Sequence, residues 1–288
     1  MQKRRVTYLD TNAVSDLSRW RERATHIEGV EAVRRDLCSC AAKRTIALGQ
    51  WVFSEMAGFE SGDRRTNFLS DLAFVEEVQF LHVFRSSGDM MQREVVAFFN
   101  GDHVDPVISK VLPATIEDPT LWAEERRQLA ELKDEYLRWE DGAEQRIDEW
   151  HPDREDRARK LAAEWEQDAH GIVARWVKNQ MRENRESLGL PAEEALWPAP
   201  ERLPTLWCNW AYRITRDVRK DVSLHSKQRR GSERRGSHAV DWCHFMTSAH
   251  AHEFVTSDDN FLEIAMAAPG PKPEILSLAD WIARLRRE

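Results

Sequence analysis

The chain has 288 residues, which suits one large domain or two small ones, and 32% of its residues are charged. The formal net charge of −8 argues against a surface coated in positive charge for unspecific binding of nucleic acid, although it permits a local basic patch. The sequence shows no secretory signal segment and no apolar run of about 18 residues, and its four cysteines lack the paired spacing of a zinc site. We therefore expect a soluble, cytoplasmic protein with reduced thiols and no membrane segment.

Two short apolar strands, one near each end of the chain, run into carboxylates. The predicted strand at residues 5–9 stops at Asp10, and the one at residues 253–255 leads through Thr256 to Asp258. In open α/β sheets, ligands bind at the carboxyl ends of the strands. We therefore expect these two strands to share an acidic site.

Apolar periodicity and turn signals predict the other elements of the chain. In chain order we expect helical segments within 13–42, a strand at 45–49, a helix from 50, a strand at 78–84, an irregular stretch at 102–119, helices at 121–150 and 152–186, a proline-rich connector at 190–204, a helix at 206–224, a basic loop at 227–236, helices at 239–251 and 260–267, a strand at 274–278 and a helix at 279–287. Strands that alternate with helices at both ends of the chain indicate an α/β fold with a doubly wound, mostly parallel sheet.

The two long amphipathic helices in the middle of the chain predict an antiparallel helical hairpin. Their tryptophans fall at helical spacing with other apolar residues: Trp139, Trp150, Trp165 and Trp176. We interpret this stripe as the core of the hairpin, and a groove for a partner is the alternative. The sequence thus divides into a predicted α/β domain at residues 1–100 and 205–288 and a helical insertion at 101–204.

Four sequence motifs resemble, in the same order, those of PIN-domain nucleases. They are Leu9-Asp10-Thr11-Asn12, the run from Ala47 to Met56, Asp241-Trp-Cys-His244, and the run from Val255 to Phe261. The resemblance covers residues 4–85 and 205–285, and it implies a small doubly wound α/β fold. It also implies cleavage of RNA, less often of DNA, with Mg²⁺ or Mn²⁺ held by carboxylates. The helical segment between the motifs departs from the compact family pattern.

The resemblance implies a set of catalytic and metal-binding residues and a set of supporting ones. The first set is Asp10, Glu55, Asp241 and Asp258, and the second is Thr11, Asn12, Thr256 and Asp259. Independently, two carboxylates about 4 Å apart repel by roughly 4 kcal/mol at an effective dielectric of 20, so a cluster of four must bind protons or a cation. Oxygen ligands favour Mg²⁺ or Mn²⁺ over Zn²⁺. Taken singly, each acid has a plainer interpretation, such as a helix cap for Asp241 after the turn at Gly236.

Nine Lys or Arg residues and three acidic residues lie between Arg213 and Arg235. We predict that this basic stretch contacts nucleic acid, and a solvated loop is the alternative. The predicted contacts are Arg216, Arg219, Lys220, Lys227, Arg229, Arg230, Arg234 and Arg235. The nearby aromatic residues Trp207, Trp210 and Tyr212 could stack on bases, although core packing is the commoner role for such residues. His244, one turn after Asp241, could position a phosphate, although a packed or surface role is the commoner one for such a histidine.

The sequence thus predicts a metal-dependent endoribonuclease, and the resemblance suggests a bacterial toxin or defence effector. Its expected partners are RNA rather than DNA, a protein inhibitor bound through the helical insertion, and a second copy in a homodimer. One alternative is a structure-specific DNase, whose larger acidic set would include Asp217, Asp221 and Asp259. Another is a non-catalytic module that binds nucleic acid or protein. Asp217 and Asp221 alone are more typical of a salt-bridged helix surface.

Overall fold

A computed structural model of the chain describes residues 5–18, 27–57, 71, 82–84, 87–102, 104, 108–110, 123–124, 127–135, 138, 154–187, 200–223 and 232–288. The strands of this part are β1 (Arg5–Leu9), β2 (Arg44–Gly49), β3 (His82–Phe84), β4 (Ile108–Lys110), β5 (Glu253–Thr256) and β6 (Glu274–Ser277). Its labelled helices are α1 (Thr11–Ser18), α2 (Val30–Lys43), α3 (Gln50–Ala57), α4 (Ser87–Asn100), α5 (Arg154–Ser187), α6 (Pro204–Ser223), α7 (Ser232–Thr247), α8 (Asp259–Ala267) and α9 (Leu278–Leu285). Short 3₁₀ turns lie at Pro200–Arg202 and Ser248–His250.

The strands form one six-stranded sheet in the order β4-β3-β2-β1-β5-β6. Every neighbouring pair is parallel except β3 and β4, which pair antiparallel at one edge. The predicted α/β fold with a mostly parallel sheet is therefore confirmed.

Side chains of the central strands alternate between two apolar layers, as the two-residue period of a strand requires. Tyr8 and Phe254 face a layer that includes α4, α6, α7 and α8, whereas Leu9 and Val255 face a layer that includes α1, α2, α3 and α9. All four side chains are buried. The sheet consequently carries helices on both faces, which is the arrangement expected for a doubly wound sheet.

The chain reverses its direction of travel across the sheet between β1 and β5. From β1 it proceeds to β2 and β3 on one side, and from β5 it proceeds to β6 on the other, although β1 and β5 are hydrogen-bonded neighbours. Connections leave the two strands in opposite directions at such a point, and a crevice opens beyond their carboxyl ends. Asp10 directly follows β1, and Asp258 lies two residues after β5.

Three local features differ from the sequence prediction. The stretch predicted to be irregular at 102–119 contains β4, and α7 begins at Ser232, inside the predicted basic loop at 227–236. Within α5, Asp168 has non-helical dihedrals (φ −151°, ψ 61°) and its Oδ1 accepts the Gly171 N–H at 2.8 Å, so α5 consists of two helices with Asp168 capping the second.

The two arms of the predicted hairpin are described to different extents. Residues 127–135 of the first arm are helical, as predicted, whereas the break at 151–153 and the tryptophans Trp139 and Trp150 lie outside the described residues. In the second arm, the buried side chains of α5 pack into the same core as those of α6 and the sheet: Ile172, Val173, Val177 and Met181. This arm therefore buries its apolar face against the α/β core.

Candidate active site

Asp10 is buried at the carboxyl end of β1, with 2% of its surface exposed. Its Oδ1 accepts the N–H of Ala13 at 2.8 Å, which caps the first turn of α1. Burial raises the pKa of Asp10 to about 7, although the charge of His244 and the hydroxyl of Thr256 act in the opposite direction. The fold thus resists a negative charge at Asp10 unless a proton or another cation is present.

Glu55 lies in the second turn of α3, which starts directly after β2. Its Oε2 accepts a short hydrogen bond from the Thr11 hydroxyl and another at 3.1 Å from His244 Nε2. Burial alone would raise the pKa of Glu55, but the hydrogen bond and charge of His244, with Thr11 and Lys133, hold that pKa below its usual value. Glu55 is therefore an ionised carboxylate in a fixed orientation.

His244 connects Glu55 to the core of the sheet. Its Nδ1 lies 2.7 Å from the Tyr8 hydroxyl, and its Nε2 faces Glu55 and lies 3.3 Å from the Thr11 hydroxyl. Burial raises the pKa of Tyr8, so this hydroxyl keeps its proton. The strand β2 allows this close contact because a Cβ on Gly49 would stand 2.4 Å from the Tyr8 hydroxyl oxygen.

Asp241 and Asp258 come from the C-terminal part of the chain. We call Asp10, Glu55, Asp241 and Asp258 the acidic set. Asp241 lies inside α7 rather than at its start, and burial, followed by the charges of Glu55 and Asp258, raises its pKa to about 8. Asp258 caps α8, because its Oδ1 accepts the N–H groups of Asn260 and Phe261 at 2.9 and 3.0 Å. The charge of Glu55 acts on Asp10 and Asp241, and that of Asp258 acts on Asp241, so acids from four separate segments converge on one site.

The supporting residues predicted from the sequence fall into two groups. Thr11 holds Glu55, and Thr256 contacts two of the acids, since its Oγ1 accepts the Asp258 N–H at 3.0 Å and its hydroxyl favours the charge on Asp10. Asn12 and Asp259 are instead exposed to solvent, and Asp259 is the first residue of α8.

The basic residues predicted to contact nucleic acid are only partly described. Arg216 is 3% exposed, and burial lowers its pKa to about 10 against the opposing charges of Asp217 and Asp241, so it is a buried cation beside the acidic set. Arg219 is exposed and forms a short ion pair with Glu263. The side chains of the other predicted contacts lie outside the described residues: Lys220, Lys227, Arg229, Arg230, Arg234 and Arg235.

Two of the three aromatic residues considered for base stacking belong to the core. Trp207 and Tyr212 are both buried, and the Trp207 Nε1–H donates to the backbone oxygen of Pro269 at 2.9 Å. Trp210 is partly exposed and its ring stacks on that of Trp176. Core packing is therefore confirmed for Trp207 and Tyr212, and Trp210 packs against the same core while leaving part of its ring exposed.

The acidic set has the chemistry for a hard divalent cation. Among the residues that the structure describes, no group of three or more His, Cys, Asp or Glu side chains is placed to hold a metal ion directly. The hydrogen bonds given above involve only Oε2 of Glu55 and only Oδ1 of Asp258, which leaves a second oxygen on each carboxylate. Carboxylate oxygens with raised pKa values at Asp10 and Asp241 fit a cation such as Mg²⁺ or Mn²⁺.

Comparisons with protein-family models, with curated proteins and with solved structures found no match to this chain. An inference of function therefore depends on the site residues and their chemistry. Of the helices that the structure describes, none combines the length and apolar character needed to cross a membrane.

Proposed function

We propose that this protein is a metal-dependent nuclease of the PIN type, acting as an endoribonuclease. The observation that carries the proposal is the electrostatic coupling of four acids that stand far apart in sequence. The charge of Glu55 raises the pKa of both Asp10 and Asp241, and the charge of Asp258 raises that of Asp241. The coupling supports a PIN-type nuclease because the four acids that interact are those of the four motifs on which the resemblance to the PIN family rests.

Each side chain has a definite part in this proposal. Asp10, Glu55, Asp241 and Asp258 would hold Mg²⁺ or Mn²⁺, and such an ion, when bound, lowers the pKa of a water and stabilises charge on the phosphodiester oxygens. The Thr11 and His244 hydrogen bonds fix the orientation of Glu55, as outer hydrogen-bond partners commonly do for metal-ligating carboxylates.

The DNase alternative has less support from the described residues. It requires Asp217, Asp221 and Asp259 to extend the acidic set, but Asp259 is exposed and Asp217 acts on the pKa values of Arg213 and Arg216. The side chain of Asp221 lies outside the described residues. No observation favours this function over cleavage of RNA.

The decisive experiment compares the wild type with Asp10→Asn on matched single-stranded RNA and DNA oligonucleotides in Mn²⁺, Mg²⁺ and EDTA. We expect RNA cleavage that requires metal and that falls roughly 100-fold or more in the variant, because the substitution removes a proposed metal ligand. Asp102→Asn is the matched control, since Asp102 is an exposed aspartate beyond the end of α4.

Equal cleavage by Asp10→Asn and wild type would refute the site. A preference for the DNA strand would favour the DNase instead. A site that binds metal stabilises the folded state. Absence of cleavage, together with a melting temperature that does not change with Mn²⁺, would therefore favour a non-catalytic binding module.

A further inference from the structure

Three tryptophans and an arginine form a continuous aromatic surface on α5, α6 and α7. The rings of Trp176 and Trp210 stack with centroids 4.7 Å apart and planes inclined by 25°. The guanidinium of Arg213 lies 5.0 Å from the ring centroid of Trp210 and 5.0 Å from that of Trp242. We call Trp176, Trp210, Arg213 and Trp242 the aromatic platform.

Hydrogen bonds hold the platform rigid. The Trp210 Nε1–H donates to Gln180 Oε1 at 2.7 Å, and the Trp242 Nε1–H donates to Asn209 Oδ1 at 3.0 Å. The two amides are joined in turn, since Asn209 Nδ2 donates to Gln180 Oε1 at 3.2 Å. With the indole N–H groups of Trp210 and Trp242 satisfied, the inner part of the platform is fixed before a planar ligand binds, which reduces the loss of conformational entropy on binding.

The outer ring of the platform faces solvent. Trp176 is 47% exposed, although most of the apolar side chains around it in α5 are buried. One of its faces is occupied by Trp210, so a planar group can stack only on the other. Together with the partly exposed Trp210 on which it stacks, Trp176 forms a contiguous aromatic patch, the kind of surface that marks an interaction site.

The surroundings of the platform favour an anionic ligand. Residues 169–182 of α5 contain Arg175, Lys178 and Arg182 and no acidic residue, in a chain whose net charge is −8. Arg175 and Arg182 are exposed, and Arg175 also forms a surface ion pair with Glu164 of α5 at 3.8 Å. Residues 204–216 of α6 likewise contain two arginines and no acidic residue. Flat rings beside exposed cations are the combination that binds the bases and phosphates of a single strand.

Two residues of the platform lie within one helical turn of residues at the acidic set. Trp242 directly follows Asp241 on α7, and Arg213 lies one turn before Arg216, the buried cation whose pKa responds to Asp241. A strand bound across the platform would therefore lie next to the carboxylates.

We propose that the aromatic platform binds bases of a single-stranded RNA and holds the strand beside the acidic set. This inference rests on the proposed nuclease function, because it takes its ligand from the substrate of that function. Stacking selects for unpaired bases without selecting their sequence. The platform accordingly makes single-strandedness, rather than a sequence, the property that the protein recognises.

The test measures binding without cleavage. Protein carrying Asp10→Asn is titrated in EDTA against a fluorescein-labelled single-stranded RNA, and anisotropy is compared with that of the same protein carrying Trp176→Ala in addition. We expect Trp176→Ala to weaken binding roughly 5- to 150-fold, the range that loss of one stacked base gives, and Trp176→Phe to retain most of the affinity. Met266→Ala is the control, because Met266 is 59% exposed and lies on α8.

A matched strand of abasic sugar-phosphate tests the role of the bases. We expect it to bind weakly and to the same extent with and without Trp176→Ala. Equal binding of RNA by the two proteins, failure of both to bind RNA, or a self-association of the chain that Trp176→Ala abolishes would each overturn the platform as an RNA site.

The outcomes separate this inference from the nuclease itself. Metal-dependent cleavage by the wild type together with unchanged binding in Trp176→Ala would overturn the platform and leave the nuclease. Binding that depends on Trp176, in a protein that cleaves nothing in any metal, would support the platform while the proposed function fails.

Discussion

The fold raises the pKa values of the Asp10 and Asp241 carboxyl groups into the neutral range when no metal is bound, so that each retains a proton far above the pH at which a free aspartate releases it. Their pKa values in the folded chain are about 7 and about 8, whereas an unfolded aspartate titrates near pH 3.9. Between these limits the folded state holds protons that the unfolded state has released, so the free energy of unfolding falls as the pH rises from about 4 to about 8. The contribution of these groups is fully present below the unfolded pKa.

We expect Asp10→Asn to remove part of this pH dependence. In EDTA the variant should match the wild type near the acid end of this window and exceed it in stability at the alkaline end, because an amide cannot ionise in the buried site. Urea unfolding at a series of pH values measures the difference. Asp102→Asn should follow the wild type throughout, and a constant offset between Asp10→Asn and wild type at every pH would contradict the explanation.

The role of His244 could not be predicted from its place in the sequence. Its partners Tyr8 and Glu55 lie 236 and 189 residues away, so the cluster exists only once the sheet has formed. The positions of Asp10 and Asp258 beyond the carboxyl ends of β1 and β5 were predictable, because a short apolar run precedes each of them. A histidine one turn after Asp241 gives no comparable local signal, since most such residues are simply packed.

At the scale of elements, one helix depends on a side chain from another. Glu94 of α4 is buried and accepts the N–H of Thr205 at 2.9 Å and that of Leu206 at 3.1 Å, in the first turn of α6. His250 Nε2 lies 2.7 Å from the same carboxylate. A carboxylate at this position satisfies amides that the helix cannot bond internally and interacts favourably with the helix dipole.

We therefore expect Glu94→Ala to destabilise the chain by about 3–5 kcal/mol, because two buried N–H groups lose their acceptor and His250 loses its partner. Glu94→Gln retains an acceptor oxygen and should cost less. The midpoint of urea unfolding gives both values, with Glu166→Ala as a control at an exposed glutamate of α5. A change within about 0.5 kcal/mol in Glu94→Ala would show that α6 does not need the cap.

Elements with weak local signals account for the differences between the predicted and observed structure. The three-residue strand β4 lies between Pro106 and Pro113, which indicate a turn, and it forms only because β3 offers an edge for pairing. The start of α7 was not predicted, because Gly231, Gly236 and the charges around them are typical of a loop. By contrast, β1 and β5 were correctly predicted, since short apolar runs between turn signals indicate buried parallel strands.

At the scale of the whole molecule, an ionic network lies at the amino ends of the central strands, whereas Asp10 and Asp258 lie beyond their carboxyl ends. Glu253 is 1% exposed, and its carboxylate accepts hydrogen bonds from Thr7 at 2.7 Å and from Arg284 at 3.0 Å, together with a short one from Arg44. Arg44 is also buried and forms a second short ion pair with Glu288. The network thereby joins β1, β2, β5 and α9.

We expect Glu253→Gln to lower the free energy of unfolding by about 3–5 kcal/mol, because the charge of Arg44 would remain buried without its main counterion. Glu274→Gln is the control, since Glu274 pairs with Arg284 at the surface and its loss should cost about 1 kcal/mol or less. The increase in melting temperature that Mn²⁺ causes should be unchanged in both variants, because Glu253 and Glu274 lie at the amino ends of their strands, away from the proposed metal site. Equal urea midpoints for Glu253→Gln and wild type would refute this assignment.

The supply of the four acids from both ends of the chain determines when the site can exist during biosynthesis. Asp10 and Glu55 leave the ribosome first, and Asp241 and Asp258 follow only after about 200 further residues. At synthesis rates of about 5–20 residues per second, that interval lasts on the order of tens of seconds. For most of its synthesis, a growing chain therefore carries only two of the four acids of the site. Any hydrolytic activity of this edge is withheld from the nascent protein until β5 has emerged and paired with β1.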